Sequence, residues 1–141
     1  AGHRARRPLL PILQAAQMRI GRGITRTVWL IGPWAIKFPS LRYAGTFFFK
    51  GCLANLSEAW LWNDKKDSRD YMAPVIWCGW FGAFLIMRRC EPIDIDPCKP
   101  FWYPVAIHND MDKKLDNIGM LNGRIVWIDY AWDPDVIPHS Q

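Results

Sequence analysis

No acidic residue occurs before Glu58, and that absence organises the rest of the composition. Nine of the 18 Lys/Arg and none of the 13 Asp/Glu fall in residues 1–57, so that stretch carries +9 against −4 for residues 58–141, and the chain carries +5. A basic half facing an acidic half suits an anionic ligand held through metal ions; nucleic-acid binding by the basic half alone has the same charge signature. Zinc-site spacing is missing too. The four cysteines, Cys52, Cys78, Cys90 and Cys98, contain no C-x-x-C pair, and the three histidines, His3, His108 and His139, are too scattered to complete a site. Reduced structural thiols follow, with two disulfides as the lesser alternative. The longest uncharged run, 71–87, contains Pro74, Gly79 and Gly82 and barely reaches bilayer length, which favours a β-hairpin over a membrane span. The basic start at Arg4, Arg6 and Arg7 leads into a short Pro-interrupted stretch without a convincing cleavage site, so a cytoplasmic chain is expected. Internal repeats and low-complexity tracts are lacking.

What is present is one domain's worth of chain: 141 residues, 50% apolar and 22% charged. Residues 18–32 read as strand, glycine turn and strand, with Thr27, Val28, Trp29, Leu30 and Ile31 supplying β-branched and aromatic bulk. Gly32-Pro33 reverses the chain into a third strand, Trp34 to Phe38, closed by Pro39. Residues 52–65 have helical spacing. Leu53, Leu56, Trp60 and Leu61 share a face there, Asn55 or Ser57 can cap, and Lys65 and Lys66 suit the last turn. Residues 74–87 form the hairpin. Four prolines in 88–104 predict a connector, 105–115 a short helix, and Asn122-Gly123 a tight turn between two final strands, with an extended tail after Asp133.

Five features then occur in a fixed order: Gly21-x-Gly23 followed by Val28, Ala35-Ile36-Lys37, Glu58 on the helix, Asp112-x4-Asn117, and Ile128-Asp129-Tyr130. In this order they resemble the protein-kinase and aminoglycoside-phosphotransferase superfamily, with its glycine-rich loop, V-A-I-K, helix glutamate, D-x4-N and D-F-G. The resemblance covers residues 18–132. It implies an α+β fold: a protein-kinase-like N-terminal lobe of five antiparallel strands and one helix (17–88), and a minimal C-terminal remnant (89–141) carrying the catalytic loop and a β-hairpin. It further implies ATP and Mg2+ as ligands.

Each motif has its own chemistry. Gly21 and Gly23 let backbone N–H groups approach phosphate oxygens, although an isolated G-x-G is more often an ordinary turn. Arg26 stands where a third glycine is usual, and its guanidinium offers a phosphate contact instead. Lys37, flanked by Ile36 and Phe38, points the other way from both, into the cleft. The resemblance makes Glu58 its counter-ion, the α/β-phosphates its ligand, and Val28 and Ala35 the adenine sandwich. It makes Asp112 the base, and Asn117 and Asp129 the magnesium ligands. His108-Asn109-Asp110 also matches H-x-D, leaving Asp110 as the alternative base; spacing favours Asp112. A solvated acidic turn is the plain reading of Asp110, Asp112 and Asp116.

Departures are equally definite. Only residues 130–141 follow Asp129, Tyr130-Ala131 replaces Phe-Gly, no A-P-E segment is present, and the connector is too short for the usual helices. The pattern is the compact style of phage and bacterial kinase-like proteins. Nucleotide contacts lie in the retained part and acceptor recognition in the reduced part, so Mg-ATP binding is expected ahead of phosphotransfer to a hydroxyl, on a protein. Two alternatives follow. One is a catalytically weak or dead kinase-like protein whose nine tryptophans build a protein-partner or homodimer surface. The other is a basic nucleic-acid-binding module on Arg4, Arg6, Arg7, Arg19, Arg22 and Arg26, without any recognised reading motif.

Overall fold

The computed structural model of the chain describes residues 19–22, 25–42, 45–96, 98–109, 111 and 113–131. Three consecutive strands, β1 (Arg19–Arg22), β2 (Arg26–Ile31) and β3 (Trp34–Pro39), pair antiparallel through local reversals. Helix α1 (Thr46–Asp64) follows, then a 3-10 turn over Lys66–Tyr71. The hairpin β4 (Val75–Cys78) and β5 (Leu85–Arg88) comes next. Strand β5 inserts beside β3, giving one antiparallel sheet of order β1-β2-β3-β5-β4. A second sheet contains only β6 (Ile118–Leu121) and β7 (Arg124–Trp127). The architecture is α+β, with an antiparallel main sheet, one main helix and a small hairpin sheet. No helix among the described residues is long and apolar enough to cross a membrane.

Side chains explain the two reversals that matter most. At the β6–β7 turn, Asn122 (φ 50°) and Gly123 (φ 78°) both take left-handed backbone, the requirement that makes Asn-Gly a hairpin sequence. Between β4 and β5, Gly82 at φ 74° lies against the carbonyl of Cys52 and the side chain of Leu56, so a side chain there would collide with α1.

The helix departs from its expected form. It starts at Thr46, six residues before Cys52, and ends before Lys65, so no basic residue lies in its last turn. Asn55 and Ser57 are interior rather than capping. The expected apolar face is also reversed: Leu53, Leu56 and Trp60 are 54%, 41% and 50% exposed, and of that set only Leu61 is buried. The face turned inward carries Gly51, Cys52, Ala54, Asn55 and Glu58. Close approach selects these residues, because a Cβ on Gly51 would sit 2.5 Å from the Thr25 carbonyl oxygen and 2.8 Å from Pro39 Cα.

One apolar core joins the two sheets. Leu61, Met72, Ala73, Leu85, Met87, Ile118, Val126, Trp127 and Tyr130 are all buried in it. The hairpin sheet is tied on by Ala73 N donating to Trp127 O (2.8 Å) and by a reciprocal pair between Glu91 and Met120 (2.9 and 2.8 Å). Beyond Arg88 the connector forms no helix or strand at its described residues, in keeping with its prolines, and Lys99 N donates to the Asp96 carbonyl (3.0 Å) in a turn. The short helix expected over 105–115 does not form at the described positions 105–109. Trp127 Nε1 donates to the Val105 carbonyl (2.9 Å), a tertiary contact, and Ile107 N to Met111 Sδ (3.0 Å), a local one, in place of helical backbone bonding. All four cysteines are free thiols. The tail after Asp133 and the Gly23 turn lie outside the described residues.

Candidate functional site

A cleft of about 620 Å3 opens between the main sheet and the hairpin sheet. Its wall is apolar at Val28, Leu30, Ala35, Met87 and Ile118 and charged at Arg26, Lys37, Arg88, Glu91, Asp116 and Asp129. Strand pairing places these groups. Val28 lies opposite Lys37 in the β2–β3 register, Leu30 opposite Ala35, and Ala35 opposite Met87 across β3–β5. Alternation along β3 turns Lys37 inward, where it is buried.

The inward lysine meets Glu58. Lys37 Nζ donates to both carboxylate oxygens of this fully buried residue, at 3.0 and 2.9 Å, and to the Ile128 carbonyl at 2.6 Å. Arg26, also buried, donates to Glu58 Oε1 (3.2 Å) and Asn55 Oδ1 (3.3 Å) and forms a close ion pair with Asp129. Two cations and two carboxylates thus form one neutral cluster at the inner end of the cleft. Burial alone would lower the pKa of Arg26, but Glu58 and Asp129 outweigh it and raise the value further. For Asp129, burial pushes up, while Arg26 and then Lys37 prevail and hold the carboxyl far below the usual carboxylate range.

Asn117 and Asp129 also come together. The Asn117 carbonyl accepts from Ile128 N (2.8 Å) and Asp129 N (3.3 Å), closing the 3-10 turn Leu115–Asn117 onto the strand end. Side chains from four separate segments therefore converge, those of Arg26, Lys37, Glu58 and Asp129, while Asn117 reaches Asp129 through its backbone carbonyl and is not among the residues lining the cleft. Val28 and Ala35 both line the cleft, and Gly21 pairs with Val28 across β1–β2. Gly23, Asp110 and Asp112 lie outside the described residues. Arg26 is placed differently from its expected role, since its guanidinium is committed to three protein acceptors rather than offered outward.

Three participants were not expected as site residues from the sequence, although Tyr130 and His108 fall within the Ile128-Asp129-Tyr130 and His108-Asn109-Asp110 motifs. Asn55 donates its amide to the carbonyls of Lys37 (3.2 Å) and Gly82 (2.8 Å), fastening α1 to both β3 and the β4–β5 turn. Tyr130 donates its backbone N–H to Glu58 (3.3 Å) and its hydroxyl to the Ala73 carbonyl (3.0 Å). Burial and then Glu58 raise the Tyr130 phenol pKa, so the ring acts as a neutral donor. His108 Nε2 lies 3.1 Å from the Tyr130 carbonyl. A polar residue three positions before Glu58, on the same helix face, was the only available hint for Asn55.

Comparison with known proteins adds no name: no protein-family model, curated protein or solved structure matches the chain.

Proposed function

We propose that this protein binds Mg-ATP in the cleft between its two sheets and is a kinase-like phosphotransferase acting on a hydroxyl, with a protein as acceptor. The observation that carries the reading is the Lys37–Glu58 ion pair at the wall of a cleft that is also lined by apolar side chains. A triphosphate needs fixed cations and a nucleobase needs apolar walls, and a cleft of about 620 Å3 lies within the ordinary range for small-molecule sites, roughly 300–1,000 Å3.

The donor set fits the ligands. Magnesium keeps most of its waters and takes one or two carboxylates plus phosphate oxygens, so Asp129 with Asn117 beside it is sufficient. Bound there, the ion would offset charge on the transferring phosphoryl group. Lys37 would hold phosphate oxygens while Glu58 fixes its direction, Val28, Ala35 and Met87 would enclose the base, and Asp112 would take the acceptor proton.

The first experiment is thermal melting with and without millimolar Mg-ATP. A raised midpoint is expected, with Lys37→Ala abolishing the shift and Asp129→Asn abolishing its dependence on magnesium. Asp112→Asn should bind but not transfer radiolabel to itself or a lysate. Unchanged melting of the native chain overturns the nucleotide reading. Trp80 and Phe81, each 84% exposed at the β4–β5 turn, favour one second reading, a catalytically weak kinase-like protein that docks a partner; bound ATP with no transfer to any acceptor would select it.

A further inference from the structure

The cluster contains a feature that nucleotide binding alone does not call for: the carboxylate assigned to the metal is already occupied. Asp129 is closely paired with Arg26, whose other donors bind Glu58 and Asn55. Its side chain is still 43% exposed toward the cleft, whereas that of Arg26 is 8% exposed, so Asp129 faces the incoming ligand and Arg26 backs it. A divalent ion approaching alone would have to displace a guanidinium from a charge-assisted hydrogen bond and would then sit beside that freed positive charge. A metal carrying a polyphosphate meets no such obstacle, because the phosphates offer Arg26 a replacement acceptor of the same sign as the one it gives up.

Resting on the nucleotide reading, we infer that Arg26 is the specificity-determining residue that makes the site reject free divalent metal and accept it only as a metal–polyphosphate complex. Arg26 changes partner, from Asp129 to phosphate oxygens, as the metal takes Asp129. Lys37 stays on Glu58 throughout, since Glu58 is fully buried and retains Lys37 and the Tyr130 N–H as donors after Arg26 turns. The resting cluster is neutral, and a magnesium–triphosphate complex brings a net negative charge that Arg26 and Lys37 would face once the metal has taken Asp129.

The test separates free metal from complexed metal. Mn2+ alone is titrated by electron paramagnetic resonance into the native chain and into Arg26→Met and Arg26→Gln, and Mg-ATP binding is measured calorimetrically on the same proteins. The native chain is expected to bind Mn2+ alone at least about tenfold more weakly than the variants, because a unit positive charge beside a divalent ion repels it even in a water-like dielectric. Mg-ATP should bind the variants more weakly than the native chain. A merely structural arginine would weaken both. A second arm avoids any folding defect at position 26: with EDTA present, inorganic triphosphate should bind Asp129→Asn more tightly than the native chain, because Arg26 is released. Equal Mn2+ affinity in native and variant chains, or no gain for triphosphate in Asp129→Asn, overturns the inference while Mg-ATP binding to the native chain keeps the nucleotide reading. Absence of Mg-ATP binding to the native chain overturns both.

Discussion

Glu58 and Leu61 lie one helical turn apart on α1, both are fully buried, and they face opposite kinds of interior. Leu61 enters an apolar core with Met72, Leu85, Met87, Trp127 and Tyr130, where burial is itself the stabilising term, about 25 cal/mol per Å2 of apolar surface. Glu58 enters a cluster of ions, where burial is the cost and pairing only offsets it. A buried ion pair is on average no better for stability than packed hydrocarbon, and breaking one is far worse. The apolar core explains why the two sheets stay together. The ionic cluster is explained by the cleft that it faces.

The sharpest way to break this contrast is to remove one member from each region. Glu58→Leu leaves Arg26 and Lys37 sharing the single carboxylate of Asp129 and is expected to cost about 3–5 kcal/mol. Trp127→Ala should cost a similar amount, about 3–5 kcal/mol, through the cavity left behind. The two differ in how they are rescued. Adding Lys37→Met to Glu58→Leu restores a neutral Arg26–Asp129 pair, so in urea unfolding the double variant should be more stable than Glu58→Leu alone. Nothing comparable exists for Trp127. Strictly additive costs at positions 37 and 58 would show that these ions do not act as one unit.

Asn55 ties the two regions together and offers the next largest effect. Asn55→Ala strands the buried carbonyls of Lys37 and Gly82 and removes an acceptor of Arg26, an expected loss of about 1–3 kcal/mol. If the residue positions α1 for the cleft, Mg-ATP binding should fall further than a core variant of matched stability loss. Equal binding by the two would leave Asn55 a purely structural residue.

The same contrast marks how far the sequence is legible. The strands around Gly32-Pro33, the Asn122-Gly123 hairpin and the inward direction of Lys37 follow from local rules, because turn chemistry and strand alternation act over a few residues. Helix α1 misleads for a physical reason. Leu53, Leu56, Trp60 and Leu61 recur at helical spacing and look like a core face, yet only Leu61 is buried, while the inward face carries the small residues that close approach to Thr25 and Pro39 demands. Motif order pointed to Lys37, Glu58, Asn117 and Asp129 as a group. The Arg26–Asp129 pair bridges 103 positions and leaves no periodic trace, so only the folded chain brings it to view.

Titration gives the smallest effects and still tells the regions apart. The folded-state pKa of Asp129 is depressed, so its contribution is complete above the ordinary carboxylate value, about 3.9, and is lost as pH falls below it. Cys90, on the cleft wall near the core, behaves with opposite sign. Burial pushes its thiol up to about 11, so its contribution is complete below the ordinary thiol range and is lost as pH rises from there toward 11. Stability measured against pH should therefore soften at both ends: Asp129→Asn should flatten the acid limb, and Cys90→Ala should reduce the alkaline limb while leaving the share of Tyr130 and of the Cys52 and Cys78 thiols in place, each without moving the other. A protonated Cys90 should also alkylate slowly at neutral pH compared with the exposed Cys98, and Mg-ATP should slow it further by filling the cleft that it lines. Modification of Cys90 at an unchanged rate under saturating Mg-ATP would place the ligand somewhere other than beside this thiol.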